Sequence, residues 1–444
     1  MIPSPKVFGS DFPLSRFAPA RIGAFHRTAR GYLLTTFAAL AILLTPYCLA
    51  AGNTKVLYTF KGGNDGIYPS GALVFDSSGD LFGTTYYGGT GTCSSFSGNG
   101  CGMVFELKRE SDGKWQHAVL YNFKGGSDGA QPTGGLVFDS SGNLYGTTTQ
   151  GGGSNIGTVF ELSPHSGGWS EKVLHSFGGS GDGAEPAAGM IFDSSGNLYG
   201  TASGGGAFDG GAVFEISPGK NSWTEKILYS FCPGDDCSSG LSVLAGLARD
   251  SHGDLFGVTE FGGNGPYGTV FELKPDKGAW DEVTVHSFDG SDGGNPDSAT
   301  LIFDSSGDFY GTTNFGGAFG YGTVFRFAPG PKGTWVEKVV YNFRTGGDGG
   351  SFNEGLAIDS AGHLYGANGM GGIGSCNDNA GCGLIYEVTP EKQGHSQFKA
   401  LHQFTGDSDG GQPSGAPIRD GSGNLYGPAA IGGNGFGTIY EVTP

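Results

Sequence analysis

The sequence predicts an all-β fold, a seven-bladed β-propeller of four-stranded antiparallel blades. Three observations carry that expectation: one unit recurs seven times between Lys55 and Pro444, each unit holds four strand-like runs, and the series opens on a spare fourth run and closes one run short. The landmark of the unit is an Asp ahead of a small-residue turn, as in Phe75-Asp76-Ser-Ser-Gly-Asp-Leu-Phe-Gly-Thr-Thr. It returns at Asp139, Asp193, Asp250, Asp304, Asp359 and Asp420, at intervals of 54 to 63 residues. A fixed period in this range belongs to solenoids, propellers or arrays.

The runs follow in a constant order. In the second copy the first is Gly135-Leu-Val-Phe-Asp139, and a Ser-Ser-Gly turn leads to the second, Asn143-Leu-Tyr-Gly-Thr-Thr148. The doublet Gly151-Gly152 opens a loop to the third, Gly157-Thr-Val-Phe-Glu-Leu162, and the fourth is Trp169-Ser-Glu-Lys-Val-Leu-His-Ser-Phe177. Short runs rich in Val, Phe, Tyr and Thr between Gly, Asp, Asn and Ser are strands, and four antiparallel strands per unit make a propeller blade. The landmark Asp caps the backbone two residues on, and the Gly takes the positive φ that ends the turn. The lone first run, Lys55–Phe60, and the last, Gly437–Val442, are expected to pair antiparallel, closing the ring and hiding two sheet edges.

Composition agrees with this architecture and sets the compartment. The 89 glycines follow no three-residue period, which excludes collagen, and they fall in turns. Residues 1–50 stand outside the repeat. Arg16, Arg21, Arg27 and Arg30 precede an apolar run, Tyr32–Leu44, and then Cys48-Leu-Ala-Ala51, which reads as an export signal cut after Ala50 or Ala51. The apolar stretch from Gly31 to Ala51 would also serve as an uncleaved anchor. Residues 51–444 form the single propeller domain. Losing residues 1–50 removes five cations and one anion, so the formal charge of −18 becomes −22. So acidic a chain is repelled by phosphate, which argues against nucleic acid and, once the signal is cut, against membranes as partners. A monomer that is secreted, periplasmic or held at the bacterial cell surface is expected.

The six cysteines of the repeat lie in close pairs, Cys93 with Cys101, Cys232 with Cys237 and Cys376 with Cys382. An even count in an exported chain favours disulfides over metal sites, and the first and third pairs fall in the two longest intervals. No metal or other cofactor is expected. All five tryptophans, Trp115, Trp169, Trp223, Trp280 and Trp335, start a fourth strand, with Phe398 in that place in the next copy. Packing of blade against blade is favoured for them over a carbohydrate-stacking ring. His175, His286 and His402 stand where other copies have Tyr58, Tyr121, Tyr229 and Tyr341, and His252 and His363 lie in landmark turns. Gly263-Asn-Gly-Pro-Tyr-Gly268 matches a dinucleotide pattern but no helix follows it, so it is a loop. The Asp-Gly pairs after six of the seven fourth strands, at Asp65, Asp128, Asp182, Asp292, Asp348 and Asp409, lack the further carboxylates of a calcium loop and read as solvent-exposed turns.

The combined motif Gly-Leu-Val-Phe-Asp-Ser-Ser-Gly-Asn-Leu-Tyr-Gly-Thr-Thr, the glycine doublet and Gly-Thr-Val-Phe-Glu-Leu together resemble the GloVer-type (choice-of-anchor) tandem repeats of exported bacterial proteins. The Asp-x-x-Gly-Asn-Leu-Tyr core is also similar to NHL-like propeller blades. The resemblance spans Lys55 to Pro444 and implies an exported repeat protein, with no catalytic residues to carry over. The family's sorting anchors need an apolar tail, whereas the sequence closes on Glu441-Val-Thr-Pro444, so anchoring by that route is not expected.

Two functional classes follow. The first is a binding or scaffold propeller that holds a glycan, peptide or protein partner in its loops; the second is a propeller enzyme such as a lactonase, lyase or glycan-active hydrolase. An enzyme should break its own repeat with polar residues aimed at the axis. The breaks that stand out, Arg249, Glu260 and Arg419, are scattered, which favours binding without catalysis. The loops after the glycine doublets vary most, and their aromatic residues Phe96, Phe208, Tyr267, Phe319 and Phe436 are the candidates to stack on sugars or peptide side chains.

Overall fold

Seven antiparallel sheets stand around one axis in the computed structural model. It describes residues 53–95, 98–220, 222–234, 236–297, 300–344, 347–350, 353–376, 380–391 and 395–444. The signal segment 1–50 and Phe96 lie outside the described residues. Of the two units into which the chain divides, only Leu49–Pro444 holds described residues. Among those residues, no helix is long and apolar enough to cross a membrane.

Blade 1 consists of Ile67–Phe75, Leu81–Tyr87, Met103–Arg109 and Trp115–Asn122, running from the axis outward. Blades 2 to 6 repeat this order, each strand bonded to the next in sequence. In blade 7 the fourth place is taken by Asn53–Thr59, which pairs antiparallel with Thr438–Thr443 through Lys55↔Glu441 and Thr59↔Thr438. The expected closure is therefore present, and the Lys55 ammonium adds an ion pair to Glu441 at 2.8 Å.

Every outer hairpin carries a bulge at the same place. In blade 3, Val213 pairs with Tyr229 but Phe214 pairs with Ile227, so Leu228 is skipped. A bulge lets two neighbouring residues face the same side and adds twist. Here it turns Leu228, Val340 and Leu401 into the core. That core lies in the seams between blades. One cluster joins Tyr145 and Val159 of blade 2 to Met190, Leu198 and Phe214 of blade 3, and another joins Tyr426 and Ile439 of blade 7 to Leu73 and Phe105 of blade 1. Each tryptophan packs across such a seam, Trp223 on Tyr145 at 5.9 Å and Trp280 on Tyr199 at 6.0 Å between ring centroids.

Two expectations need correction. Phe398 does not take the tryptophan place: it pairs with Val388, the position that Glu337 holds opposite Phe327 in blade 5, and it stacks on Tyr341 at 5.0 Å. The Asp-Gly carboxylates are half-buried seam groups, not solvent-exposed turns. Asp65 accepts hydrogen bonds from the Tyr58 hydroxyl at 2.6 Å and the Lys61 N–H at 2.8 Å, and Asp348 accepts from Tyr341 at 2.6 Å. Where histidine replaces the tyrosine, His286 Nε2 meets Asp292 at 2.7 Å. A ring that can reach this carboxylate is what the position requires, and both residue types supply one.

The landmark Asp does what its position implies. Asp193 Oδ1 accepts the N–H groups of Ser195 at 2.8 Å and Asn197 at 2.9 Å, and Oδ2 accepts from Asn197 Nδ2 and the Tyr199 hydroxyl. Partial burial opposes ionisation, but these four bonds outweigh it and hold the carboxyl below its usual range. Asp139 and Asp420 are held the same way. A depressed folded value gives stability that is present above the unfolded value and lost as pH falls through the folded one. Asp193→Ala is expected to cost about 1–2 kcal/mol at pH 7. In thermal melts the difference from the native protein should shrink below about pH 4.

Candidate functional site

Two sets of connections meet on one face of the ring: the loops between second and third strands, and the links from one blade to the next. In each described link one residue takes the left-handed conformation: Tyr68, Gln131, Glu185, Ser242, Asn295 and Gln412 have φ between 53° and 62°. Such a backbone costs a non-glycine residue on the order of 1 kcal/mol. It persists because its N–H bonds to the preceding blade and its C=O to its own. Gln131 donates to the Cys101 carbonyl at 2.8 Å and accepts from Thr149 N–H at 3.1 Å, and Ser242 does the same with Gly210 and Glu260, both at 2.8 Å. Six copies of this conformation make it part of the scaffold, and it sets a ring of side chains around the mouth.

In the described links the second residue after this one faces the axis: Ser70, Thr133, Ala187, Leu244, Asp297 and Ser414; in blade 6 Glu354 lines the same axial cavity. In three copies its hydroxyl ties one blade to the next. Ser70 donates to the Pro132 carbonyl at 3.3 Å, Thr133 to Ala187 at 3.1 Å and Ser414 to Pro69 at 2.6 Å. In blades 5 and 6 it is an acid. Asp297 and Glu354 line the same axial cavity of about 380 Å³, and Glu354 also borders an adjoining cavity of about 280 Å³ with Met370, Gln412 and Ser414.

More polar residues break the repeat beside these two. Asp297 accepts from the amide of buried Asn314, whose oxygen accepts the Asn353 N–H at 2.8 Å, and Asn353 in turn accepts from Asn368 at 3.1 Å. Glu260 accepts from the Ser242 hydroxyl at 3.0 Å. Burial pushes the Glu260 carboxyl up, and the charge of Asp297 adds to it against the bond from Ser242. Glu354 is half-buried, and no side chain among the described residues hydrogen-bonds its carboxylate. Burial, then Asp297, push it up to about 8. Exposed aromatic rings adjoin this side. Phe261 follows Glu260, Phe315 follows Asn314, and Phe319 and Tyr321 complete the blade 5 loop, each at least 38% exposed.

The structure does not gather the loop aromatics expected from sequence. Phe208 and Phe319 are each 50% exposed, in blades 3 and 5. Tyr267 lies over Gly290 and Gly294, Phe436 covers Gly62, and Arg344 sits 5.0 Å from the Phe319 ring centre. Of the three sequence breaks, Glu260 is at the mouth. Arg249 and Arg419 are exposed in the first hairpins of blades 4 and 7, on the opposite face. Asp297, Glu354 and Phe315 were not singled out from sequence. Aligning the copies on the link proline instead of the landmark Asp would have exposed Asp297, whereas the sixth copy has no link proline to bring Glu354 into line. All three cysteine pairs are bonded as expected, and Cys93–Cys101 and Cys376–Cys382 brace loops on this same face. Larger clefts of about 740 and 660 Å³ lie on the opposite face, built mainly on the recurring landmark turns together with Arg249, Arg326 and Lys338.

The family described as Gloeobacter/Verrucomicrobia repeat matches the chain in four overlapping stretches, residues 44–190, 90–301, 191–393 and 299–444. No curated protein matches it by sequence. Among solved structures, the chain is similar to the extracellular domain of a hybrid two-component system from B. thetaiotaomicron. The TM-score is 0.52 and the identity 11%, over 87% of this chain and 39% of that one. The chain thus spans well under half the length of that protein, and the likeness shows the fold alone.

Glu354 yields a stability prediction. A carboxyl raised from its ordinary 4.5 to about 8 gives stability that is complete below 4.5 and is lost as pH rises through 8. Glu354→Gln is expected to melt like the native protein at pH 5. At pH 9 it should be more stable by about 1–3 kcal/mol, and thermal unfolding at the two pH values measures this.

Proposed function

This chain belongs to the Gloeobacter/Verrucomicrobia repeat family, and we propose that it is an exported binding propeller that takes a glycan, peptide or protein partner at one mouth of its ring. The observation that supports this is where the repeat breaks. Strands, landmark turns and seams recur in all copies, whereas acids depart from the repeat at the mouth of the neighbouring blades 3 to 6 and exposed aromatic residues of blades 3 to 5 lie at the same face. A rigid frame that varies only at its loops presents contacts of its own to a partner. Three disulfides fit an oxidising compartment outside the cytoplasm, as does likeness in fold to a domain described as extracellular.

The second reading, a lactonase, lyase or glycan-active hydrolase, draws on the Asp297–Glu354 pair. A carboxyl kept protonated near neutral pH beside another acid is the raw material of general acid–base chemistry. The hydroxyls of Ser70, Thr133 and Ser414 share that lining, but each donates to a carbonyl of the neighbouring blade and, among the described residues, has no base beside it, which favours binding.

Glycan-array binding and capture from an exported-protein fraction test the proposal with the full chain and two sets of variants. Glu260→Gln and Phe315→Ala are expected to weaken the captured interaction at least tenfold, while Arg249→Ala on the opposite face leaves it intact. Loss with Arg249→Ala alone would place binding elsewhere. Turnover of a lactone or polysaccharide that Glu354→Gln abolishes would establish the enzyme reading instead.

A further inference from the structure

We propose that the mouth between blades 4 and 7 is a subsite for an organic cation, a guanidinium or ammonium group carried on an extended chain. This rests on the binding reading above and names the chemistry of what is bound. The first ground is the sign of the charges. Three positions per copy form the mouth: the left-handed link residue, the axial residue two places on, and the residue that ends the inner part of the second strand, such as Glu260 or Asn314. Across all seven copies these positions hold Glu185, Glu260, Asp297 and Glu354 and not one Lys, Arg or His. An anionic ligand would meet only repulsion here.

The second ground is independent of the acids. At the third-strand position where five copies have Phe105, Phe160, Phe214, Phe271 and Phe325, blades 6 and 7 have Tyr386 and Tyr440. Both are fully buried, and among the described residues neither hydroxyl has a hydrogen-bond partner. Tyr440 lies across Gly427, where an added Cβ would come within 2.2 Å of the hydroxyl. The ring thus points from the third strand over the second, toward the axis, and its hydroxyl is near enough to Glu354 to feel that charge. Leaving a buried hydroxyl unpaired costs about 1–3 kcal/mol, which phenylalanine avoids in the other copies. The donor has a use when Glu354 ionises, because a bare carboxylate in this wall then needs one. A cation at the mouth is what would draw Glu354 into that state.

The geometry also separates an organic cation from a metal ion. Among the described residues the one set of three candidate ligands with atoms within 4.8 Å of each other is His175, Asp182 and Glu225. Its counterpart one blade earlier is Tyr121, Asp128 and Glu171, so that set is an ordinary seam contact. Glu260, Asp297 and Glu354 do not close on a point, and a ligand that engages them must span blades. The exposed rings of Phe261 and Phe315 flank the path, and aromatic faces attract guanidinium and ammonium groups.

Calorimetric titration of the full chain with tetra-arginine and with tetra-citrulline, at 0.15 M salt and at pH 6 and 8.5, tests the proposal. Guanidinium keeps its charge at both values. Glu354 is faced by Asp297 from blade 5 and by Tyr440 and Gln412 from blade 7, and it holds its proton up to about 8. Binding should therefore release that proton and tighten as pH rises. Expected are saturable binding of tetra-arginine, at least fivefold tighter at pH 8.5, and no binding of tetra-citrulline. Glu354→Gln should weaken binding about tenfold at pH 8.5 and abolish the pH dependence, Asp297→Asn should weaken it too, and Glu110→Gln on the opposite face should change nothing. Equal binding of tetra-citrulline would overturn the cation chemistry and leave the mouth as a binding site. Tetra-arginine binding that neither mouth variant weakens would show attraction to the acidic surface at large and overturn the subsite. No binding of either peptide would overturn the cation inference, while the array and capture experiment still decides the binding reading.

Discussion

Around the axis, backbone touches backbone, and this close approach governs the rest of the molecule. A Cβ added to Gly71 would lie 2.4 Å from the Thr133 carbonyl oxygen, one on Gly134 would lie 2.4 Å from that of Ala188, and one on Gly415 would lie 2.5 Å from that of Gly71. Real side chains do not fit at such distances. The inner turns are therefore built mostly from Gly, Ala, Ser and Thr, with Leu244 the exception in blade 4, and the hydroxyls of Ser70, Thr133 and Ser414 bond to the neighbouring blade instead of filling space. An acid in the same place cannot repeat that contact. Asp297 and Glu354 are thus departures from the ring's own rule, on the side where the polar breaks gather.

The outer seams obey a different requirement and tolerate more variety. There, in six of the seven seams, a ring or imidazole from one blade meets the Asp-Gly carboxylate of the link that follows it, while Tyr229 meets Glu282 instead. Tyr58, Tyr341 and His286 all do so, at 2.6 to 2.7 Å. Large aromatic clusters fill the space behind them, Phe60, Phe105, Phe160 and Phe214 all being fully buried. Among the described residues each blade buries its faces against two neighbours, and the ring is closed through Asn53–Thr59 and Thr438–Thr443. A frame this constrained leaves the mouth loops free to differ, and we propose that partners are recognised there.

The architecture was legible because it is written seven times. The landmark Asp, the glycine doublet and the odd strand at each end were enough for blade count, strand order and closure. What the sequence hid were contacts between copies. Phe398 reads as a tryptophan substitute by spacing, but the register with Val388 gives it the place of Glu337. Asp65 looks like an exposed turn residue because its partner ring, Tyr58, belongs to the strand before it and meets it only through the fold of the link. The mouth was the least visible part. Glu260 stood out as a break, but Asp297 and Glu354 fall in the segment where insertions blur the alignment of copies, and the unpaired hydroxyl of Tyr440 is a property of packing that no motif records.

The central claim is that the axial position ties blade to blade in blades 1, 2 and 7 and serves binding in blades 5 and 6. Chemical denaturation of alanine variants at that one position across the ring tests it most directly. Thr133→Ala and Ser414→Ala remove a blade-to-blade hydrogen bond and should each lose about 1 kcal/mol at pH 7, whereas Glu354→Ala should lose nothing or gain. A loss for Glu354→Ala as large as for Thr133→Ala would contradict the account, because the acid would then be part of the frame.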